Sequence, residues 1–463
     1  MHNKTQTRIE HDSMGEIAVP SEALYGAQTQ RAVENFQISR DKMPRQFIRA
    51  LGLIKQAAAL SNLKLGLLDK SLADIILQAA IMVSAGEVDE HFPLDVYQTG
   101  SGTSSNMNCN EVITGIALQK FNLKIHPNDH VNMSQSSNDV IPTTIHLSAA
   151  LELREHLIPS LLHLEEIIRK KSLECLHITK TGRTHLMDAM PLTLGQELSA
   201  WGAQINACRI SLEVIAGKLE KLQIGGTAVG TGINCHPKFS KVFCEQISKL
   251  TQQNFSPMDN LFKGLSSQDN IVECSGSLKT LAVALMKISN DLRWMNSGPL
   301  AGLGEISLTS LQPGSSIMPG KVNPVIPEAV CMVAAQVIGN DTTITIAGQA
   351  GNFQLNVMLP VIANNILESI FILSNACMAL ADKAITDFKV NTNIINEKLA
   401  KNPILITALN RIIGYELGAK IAKQSYAQNR ALIDVAVELT DLSKEELTKL
   451  LDPHNLTKGG ITE

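Results

Sequence analysis

Aromatic side chains are scarce in this chain. They make up 4% of 463 residues, with two Trp and four Tyr. Strands favour aromatic and β-branched residues, so this scarcity, beside abundant Ala, Leu and Ile, points to close-packed helices rather than β-sandwiches. Clustered cysteine is also missing. Cys109, Cys175, Cys208, Cys235, Cys244, Cys274, Cys331 and Cys377 are scattered, with no C-x-x-C pair. That spacing offers neither a zinc nor an iron–sulfur site and is the expected pattern of reduced thiols in a cytoplasmic protein. No long basic run occurs and the formal net charge is −4, so neither nucleic acid nor an anionic membrane surface is an expected partner. The opening "MHNKTQTRIEHDSMGE" has no apolar core and does contain acids, which fits neither a secretory signal nor a transit peptide.

What the chain does contain is helical periodicity over most of its length, enough for two or three domains. Apolar residues recur at three- and four-residue steps in "SRDKMPRQFIRALGLIKQAAALSNLKLGLLD", from Thr143 to Cys175, from about Thr193 to Leu222, and from Asp269 to Met295. Between Ala329 and Ala381 only Asp341 and Glu368 are charged. Helices so apolar must be buried on most sides. A membrane span would do this, but Asn340, Asp341, Gln349, Asn352, Gln354, Asn356, Pro360, Asn364 and Asn365 interrupt the run too often for hydrocarbon. The expectation is the centre of a bundle, buried further by copies of the same chain. The stretch "TALNRIIGYELGAKIAKQSYAQNRALIDVAVEL" is helical and charged on one face, as a small terminal cap would be.

Four segments are rich in small polar residues: "QTGSGTSSNMNCNE" (98–111), "HPNDHVNMSQSSND" (126–139), "GRTHLMDAMPLTLGQE" (182–197) and "GSSIMPGKVNP" (314–324). Hydroxyls, amides and glycine N–H groups suit a small anion with several oxygens, although the same residues serve as caps and turns. The last segment is not a phosphate-binding loop. Gly314 and Gly320 are separated by five residues rather than four, Val322 follows Lys321 where a hydroxyl belongs, and Pro319 lacks an N–H. A Ser–Lys nucleophile and an ordinary surface loop both remain open at this point.

These segments resemble the class II fumarases of the fumarase/aspartase superfamily. "GSSIMPGKVNP" is similar to the superfamily's signature loop. "GRTHLMDAMPLTLGQE" and "QTGSGTSSNMNCNE" resemble the fumarase forms, since aspartases typically carry Gln at the position of His185 and "QGGAGT" in the earlier segment. "AQTQRAVENFQIS" and "TALNRIIGYELGAKIAK" extend the resemblance to nearly the whole chain. It implies a mainly α fold with an N-terminal, mostly helical domain (1–137), a central five-helix bundle (138–360) and a small helical C-terminal domain (361–463). It also implies a homotetramer with a twenty-helix core, whose active sites are shared between subunits.

The implied activity is reversible hydration of fumarate to L-malate, through an aci-carboxylate and without metal or organic cofactor. Ser315 is the implied base that takes the proton next to a carboxylate. Lys321 supplies positive charge, and Asn323 an amide, against the carboxylate that gains charge. His185, tuned by Glu328, activates water or protonates hydroxide. Ser101, Gly102, Thr103, Ser136, Ser137, Asn138, Thr184, Ser316 and Val322 complete the implied substrate site. His126, Pro127, Asn128 and Asp129 match a second anion site of the family, though a plain turn explains them equally. Leu300 stands where an arginine is usual and Met187 where a glutamine is common. An ammonia-lyase acting on aspartate, another C–N lyase, or a non-catalytic protein on the same scaffold are the alternatives. His185 and Ser315 are 130 residues apart in sequence. Antiparallel helices of about thirty residues place such loops at opposite ends, roughly 40 to 50 Å apart.

Overall fold

The computed structural model describes residues 6–460 and is mainly α-helical. It groups into two compact units. One holds the chain up to residue 159 with 210–282 and 335–374; the other holds 160–209, 283–334 and the chain from 375 onward.

The first unit opens with an antiparallel hairpin, β1 (Thr7–Asp12) and β2 (Gly15–Pro20), registered Thr7↔Pro20 to Asp12↔Gly15. Helices α1 (Ala27–Asn35), α2 (Arg45–Lys64), α3 (Lys70–Ala85), α4 (Thr103–Phe121) and α5 (Ser137–Glu152) follow. The α1 N-terminus lacks a capping side chain of its own. Glu111, from α4, accepts the N–H groups of Gly26 and Gln28 at 2.9 Å and Thr29 at 3.1 Å, which satisfies donors that would otherwise be orphaned. Gly52 lets α2 and α3 approach closely: a Cβ there would lie 2.6 Å from the Ser84 backbone nitrogen.

A π-helical turn joins α5 to α6 (Ile158–Glu174), which lies in the second unit. There the chain forms the hairpin β3 (Thr179–Thr184) and β4 (Met187–Thr193), then enters α7 (Leu194–Leu219). Helices α8 (Phe239–Thr251) and α9 (Leu261–Ser266) belong to the first unit. The long helices α10 (Asp269–Met295), α11 (Val325–Gly348) and α12 (Leu359–Leu380) complete the set from which a bundle is made. Within the first unit, Asp341 on α11 accepts hydrogen bonds from Ser275 (2.7 Å) and Lys279 (2.6 Å) on α10, and Asn340 donates to Ser369 on α12 (3.0 Å). One of the two charges in the uncharged run is therefore a buried, partnered group rather than a surface one.

The apolar helices are less covered than their sequence leads one to expect. The most apolar window of Val325–Gly348 is 33% buried and that of Leu359–Ile385 is 56% buried, and both helices are long and apolar enough to cross a membrane. Met332, Ile346 and Phe371 are 68%, 54% and 49% exposed. Burial on most sides is thus not achieved for α11 within one chain.

After α12 the second unit continues with α13 (Thr392–Ala400), α14 (Asn410–Ile413), α15 (Tyr415–Gln428), α16 (Leu432–Leu439) and α17 (Lys444–Leu450). Leu405, Leu409, Ile421, Val435, Leu447 and Leu451 form a small core of their own here, as the amphipathic pattern of this stretch requires.

Candidate active site

In the first unit, two helix N-termini carry expected site residues. Gly102, with φ +72°, caps α4, and the hydroxyls of Ser101 and Thr103 lie 2.8 Å apart at its first turn. Ser136 caps α5 reciprocally. Its Oγ accepts the Asn138 N–H (3.3 Å), and Asp139 Oδ1 accepts the Ser136 N–H (2.9 Å). Asp139 Oδ2 accepts the N–H groups of Gly225 (2.9 Å) and Thr227 (2.8 Å), and Asn138 Nδ2 donates to the Ala228 carbonyl (2.8 Å). Asn106, one turn into α4, donates from Nδ2 to Ser137 Oγ at 3.0 Å. Ser101, Gly102, Thr103, Ser136, Ser137 and Asn138 are thereby gathered around two N-termini with favourable dipoles for an anion.

His126, Pro127, Asn128 and Asp129 form a π-helical turn over Pro127–Val131. His126 Nδ1 accepts the Asp129 N–H (3.1 Å) and also lies 3.2 Å from Asp129 Oδ2, while His130 Nδ1 accepts the His126 N–H (2.9 Å). The turn is thus bonded to itself through His126, Asp129 and His130.

In the second unit, Thr184 and His185 lie at the tip of the β3–β4 hairpin. Thr184 pairs with Met187 across a two-residue turn, and both turn residues have positive φ, +55° at His185 and +63° at Leu186. Hairpins favour such a turn because its twist matches the strands, but it normally takes Asn-Gly or Gly. Two bulky residues there store backbone strain, of the kind that accumulates at functional sites. His185 is exposed, and Leu186 and Met187 beside it are 65% and 69% exposed.

The hairpin base is held by buried charges. Lys180 Nζ lies 2.7 Å from both Glu197 Oε2 and Glu305 Oε2, and Arg183 donates to Glu305 Oε1 at 2.6 Å. Burial works to raise the Glu305 pKa, but Lys180 and Arg183 outweigh it and hold the carboxyl below its ordinary value. Asn402 adds an Nδ2 hydrogen bond to the Ala189 carbonyl (2.9 Å).

The loop at 314–324 is braced across its base. The Gly314 N–H donates to the Lys321 carbonyl and Asn323 Nδ2 donates to the Gly314 carbonyl, each at 2.8 Å. A Cβ on Gly314 would lie 2.5 Å from the Lys321 carbonyl oxygen, so this closure needs glycine. Inside the loop, Ser315 Oγ accepts two backbone N–H groups, from Ile317 (3.2 Å) and Met318 (3.0 Å). Ser316, Lys321 and Val322 are exposed, and among the described residues Lys321 Nζ has no carboxylate partner. The loop leads into α11, with Glu328 in its first turn. Lys321, Val322, Asn323 and Glu328 line a cleft of about 910 Å³ together with Asn290, Arg293, Trp294 and Ser310. Ser315, Thr184 and His185 are not among its described walls.

The hairpin and the loop both belong to the second unit, and Arg183 of the hairpin meets Glu305, upstream of the loop, at 2.6 Å. Even so, no described hydrogen bond or ion pair joins His185 to Glu328 or to the loop. Leu300 is 98% exposed and, like Met187, takes no part in these contacts. Sequence reading missed Lys55 and Asn106 beneath the two N-termini, and Asn290 and Arg293 in the cleft. Lys55 left one signal, a single cation inside the apolar stretch "LIKQAAAL". Among the described residues no group of three or more His, Cys, Asp or Glu could hold a metal ion.

Comparison with known proteins identifies the family. A model of a lyase family matches residues 15–339, and one described as the fumarase C C-terminus matches 405–458. The chain belongs to this lyase family. It is 58% identical over 457 residues to "Fumarate hydratase class II 2" of Pseudomonas aeruginosa, covering 99% of this chain and 100% of that one. A class II fumarate hydratase of Bacillus subtilis is 46% identical, with 97% and 99% covered. Among solved structures, a class II fumarase from Schistosoma mansoni superposes with a TM-score of 0.95 at 38% identity, covering 98% and 99%. The fold is the fumarase/aspartase-like one, and within it the chain is a hydro-lyase of the class II fumarate hydratase group.

Proposed function

We propose that this enzyme interconverts fumarate and L-malate at a site built from Ser315, Lys321, Asn323, His185 and Glu328, with the α4 and α5 N-termini gripping the substrate. The observation that carries the reading is the environment of Ser315. A serine hydroxyl is too weak an acid to ionise in water, but two backbone N–H groups already point at its Oγ, and such donors stabilise an alkoxide. In the malate-to-fumarate direction, Ser315 takes a proton from the carbon next to a carboxylate. The bonding pair moves into that carboxylate, and Lys321 with the remaining N–H of Asn323 faces the dianionic aci-carboxylate. The hydroxyl on the neighbouring carbon then leaves as water, protonated by His185, whose basicity Glu328 sets. Hydration is the reverse. Ser101, Gly102, Thr103, Ser136, Ser137, Asn138, Thr184, Ser316 and Val322 orient the substrate. His126 to Asp129 form a second anion site at the entrance, and no metal or organic cofactor takes part.

The working assembly is a homotetramer with sites shared between subunits. Support comes from the exposed apolar faces of α11 and α12, the exposed Leu186 and Met187 beside His185, and the missing His185–Glu328 contact within one chain. The three-part division 1–137, 138–360 and 361–463 describes how such an assembly is built. The compartment is the cytoplasm and the reaction serves the tricarboxylic acid cycle, with no membrane or nucleic-acid partner. Absorbance of fumarate with purified protein tests the activity, with aspartate and argininosuccinate as controls. Ammonia release from aspartate without consumption of fumarate would overturn it.

A further inference from the structure

Lys55 lies on α2, fully buried, and among the described residues no carboxylate touches it. Its Nζ donates to Asn106 Oδ1 (2.8 Å), Gln135 Oε1 (2.9 Å) and Asn132 Oδ1 (3.1 Å). An ammonium has three donors and no acceptor, so all three side-chain amides must present oxygen to it. Their NH₂ groups are then forced outward, and each finds a partner. Gln135 Nε2 donates to the Val131 and Met133 carbonyls at 3.1 Å, and Asn132 Nδ2 donates to the Gln135 carbonyl at 3.2 Å. Asn106 Nδ2 donates to Ser137 Oγ at 3.0 Å and to Asn132 Oδ1 at 3.2 Å. The Ser137 oxygen is thus committed as an acceptor, and its O–H donates to nothing among the described residues.

We propose that Lys55 is a positioning residue for the substrate: by locking the Asn106 amide, it leaves the Ser137 hydroxyl as an oriented donor to a substrate carboxylate at the α5 N-terminus. Lys55 ties three elements to one charge: α4, the segment after the π-helical turn, and the residue just before the Ser136 cap. A buried charge held only by neutral amides is a costly way to fill space, since an apolar side chain fits such a position without desolvation. The cost is explained if the charge sets amide orientation. Burial pulls the Lys55 pKa down to about 8, with Cys109 and Asp139 acting against that fall, so the ammonium form prevails at neutral pH.

This inference rests on the proposed role of Ser137 in carboxylate binding, and three variants separate the two. Ser137→Ala measures that role directly. Lys55→Met keeps the stem and removes the charge; it should raise the fumarate KM by at least about tenfold while kcat changes less than about threefold. In Ser137→Ala, adding Lys55→Met should change KM by less than about twofold, because the hydroxyl it acts through is gone. Asn106→Asp covers the case in which Lys55→Met fails to fold. The carboxylate still faces Lys55, but an acceptor now faces Ser137 and turns its O–H inward. KM should rise about tenfold or more, with the melting temperature no lower than that of the parent. If Ser137→Ala leaves KM unchanged, the reading of Ser137 fails and this inference with it. If Ser137→Ala raises KM but Lys55→Met and Asn106→Asp do not, the Lys55 role alone is overturned. Independent effects of Lys55→Met and Ser137→Ala in the double variant would also overturn it.

Discussion

The α5 N-terminus and the 314–324 loop are both short polar segments leading into long helices, yet they are built in opposite ways. At α5, Asn138 and Asp139 are tied to backbone elsewhere in the unit, Ser136 caps the helix, and a buried lysine lies beneath. The loop is tied mainly to itself, through Gly314, Lys321 and Asn323, and its lysine is exposed, with no carboxylate partner among the described residues. A group that recognises a carboxylate in the same way throughout a reaction gains from rigid support. A group that must meet charge only as it develops is kept free of competing partners, and a loop closing on itself leaves it so. The hairpin tip follows the loop's pattern, with a strained turn above a firmly anchored base.

The sharpest way to break this comparison is to remove the unpartnered charge. Lys321→Met should lower kcat by at least about a hundredfold, since transition-state charge stabilisation contributes several kcal/mol. A change confined to KM would place Lys321 with the rigid recognition groups instead. The second test concerns assembly. The Ser315→Ala and His185→Asn variants should each be nearly inactive. Unfolded together in equal amounts and refolded, they should regain roughly a quarter of parental activity if each site draws the two segments from different chains at random. Each variant refolded alone must stay inactive. Recovery near zero in mixed assemblies confirmed by mass would assign both segments to one chain.

Gly314→Ala addresses the loop's self-closure. A methyl group 2.5 Å from the Lys321 carbonyl forces the loop base apart, and activity should fall about tenfold with the melting temperature nearly unchanged. A large loss of stability would show that the loop is part of the core after all. Glu305→Gln probes the anchored hairpin base. Leaving buried Lys180 with one fewer carboxylate should destabilise the chain by about 3 kcal/mol in denaturant titrations at neutral pH. Glu305 has a lowered folded pKa, so its contribution is present above the ordinary glutamate range and lost as pH falls through the folded value. An unchanged midpoint would remove the ion cluster from the hairpin's support.

The last test concerns His146, which is fully buried on α5 with Nδ1 3.0 Å from the Lys221 carbonyl. Burial lowers its pKa to about 4. As pH falls from 6.5 towards 4, the unfolded chain gains a proton that the folded chain refuses, so stability is lost across that window, by up to about 3 kcal/mol. His146→Gln should flatten this acid limb relative to the parent. Identical slopes in pH-resolved unfolding would show that the site admits water.

The long helices were legible because a stripe of apolar residues repeats locally; Asp269–Met295 is read with the same limits in sequence and structure. The signature loop was legible for a different reason, as a run of residue types specific enough to resemble one family. The β3–β4 hairpin was not legible as strands, because its turn is His185–Leu186 and carries none of the Asn or Gly that marks such turns. Nor could periodicity reveal that Ser315 Oγ receives two N–H groups, or that Lys55 faces three amides. These depend on the exact path of a loop and on residues up to eighty positions apart.

By itself, then, the amino-acid sequence determined the helical class, the apolar character of α11 and α12, and the residue types available for chemistry, since each is written in local pattern and composition. Only the tertiary structure decided which of those residues are rigidly held, which stand unpartnered, and how much of α11 one chain leaves uncovered. Those properties belong to contacts between distant segments, where the energy of a buried charge or an amide's orientation depends on every neighbour at once.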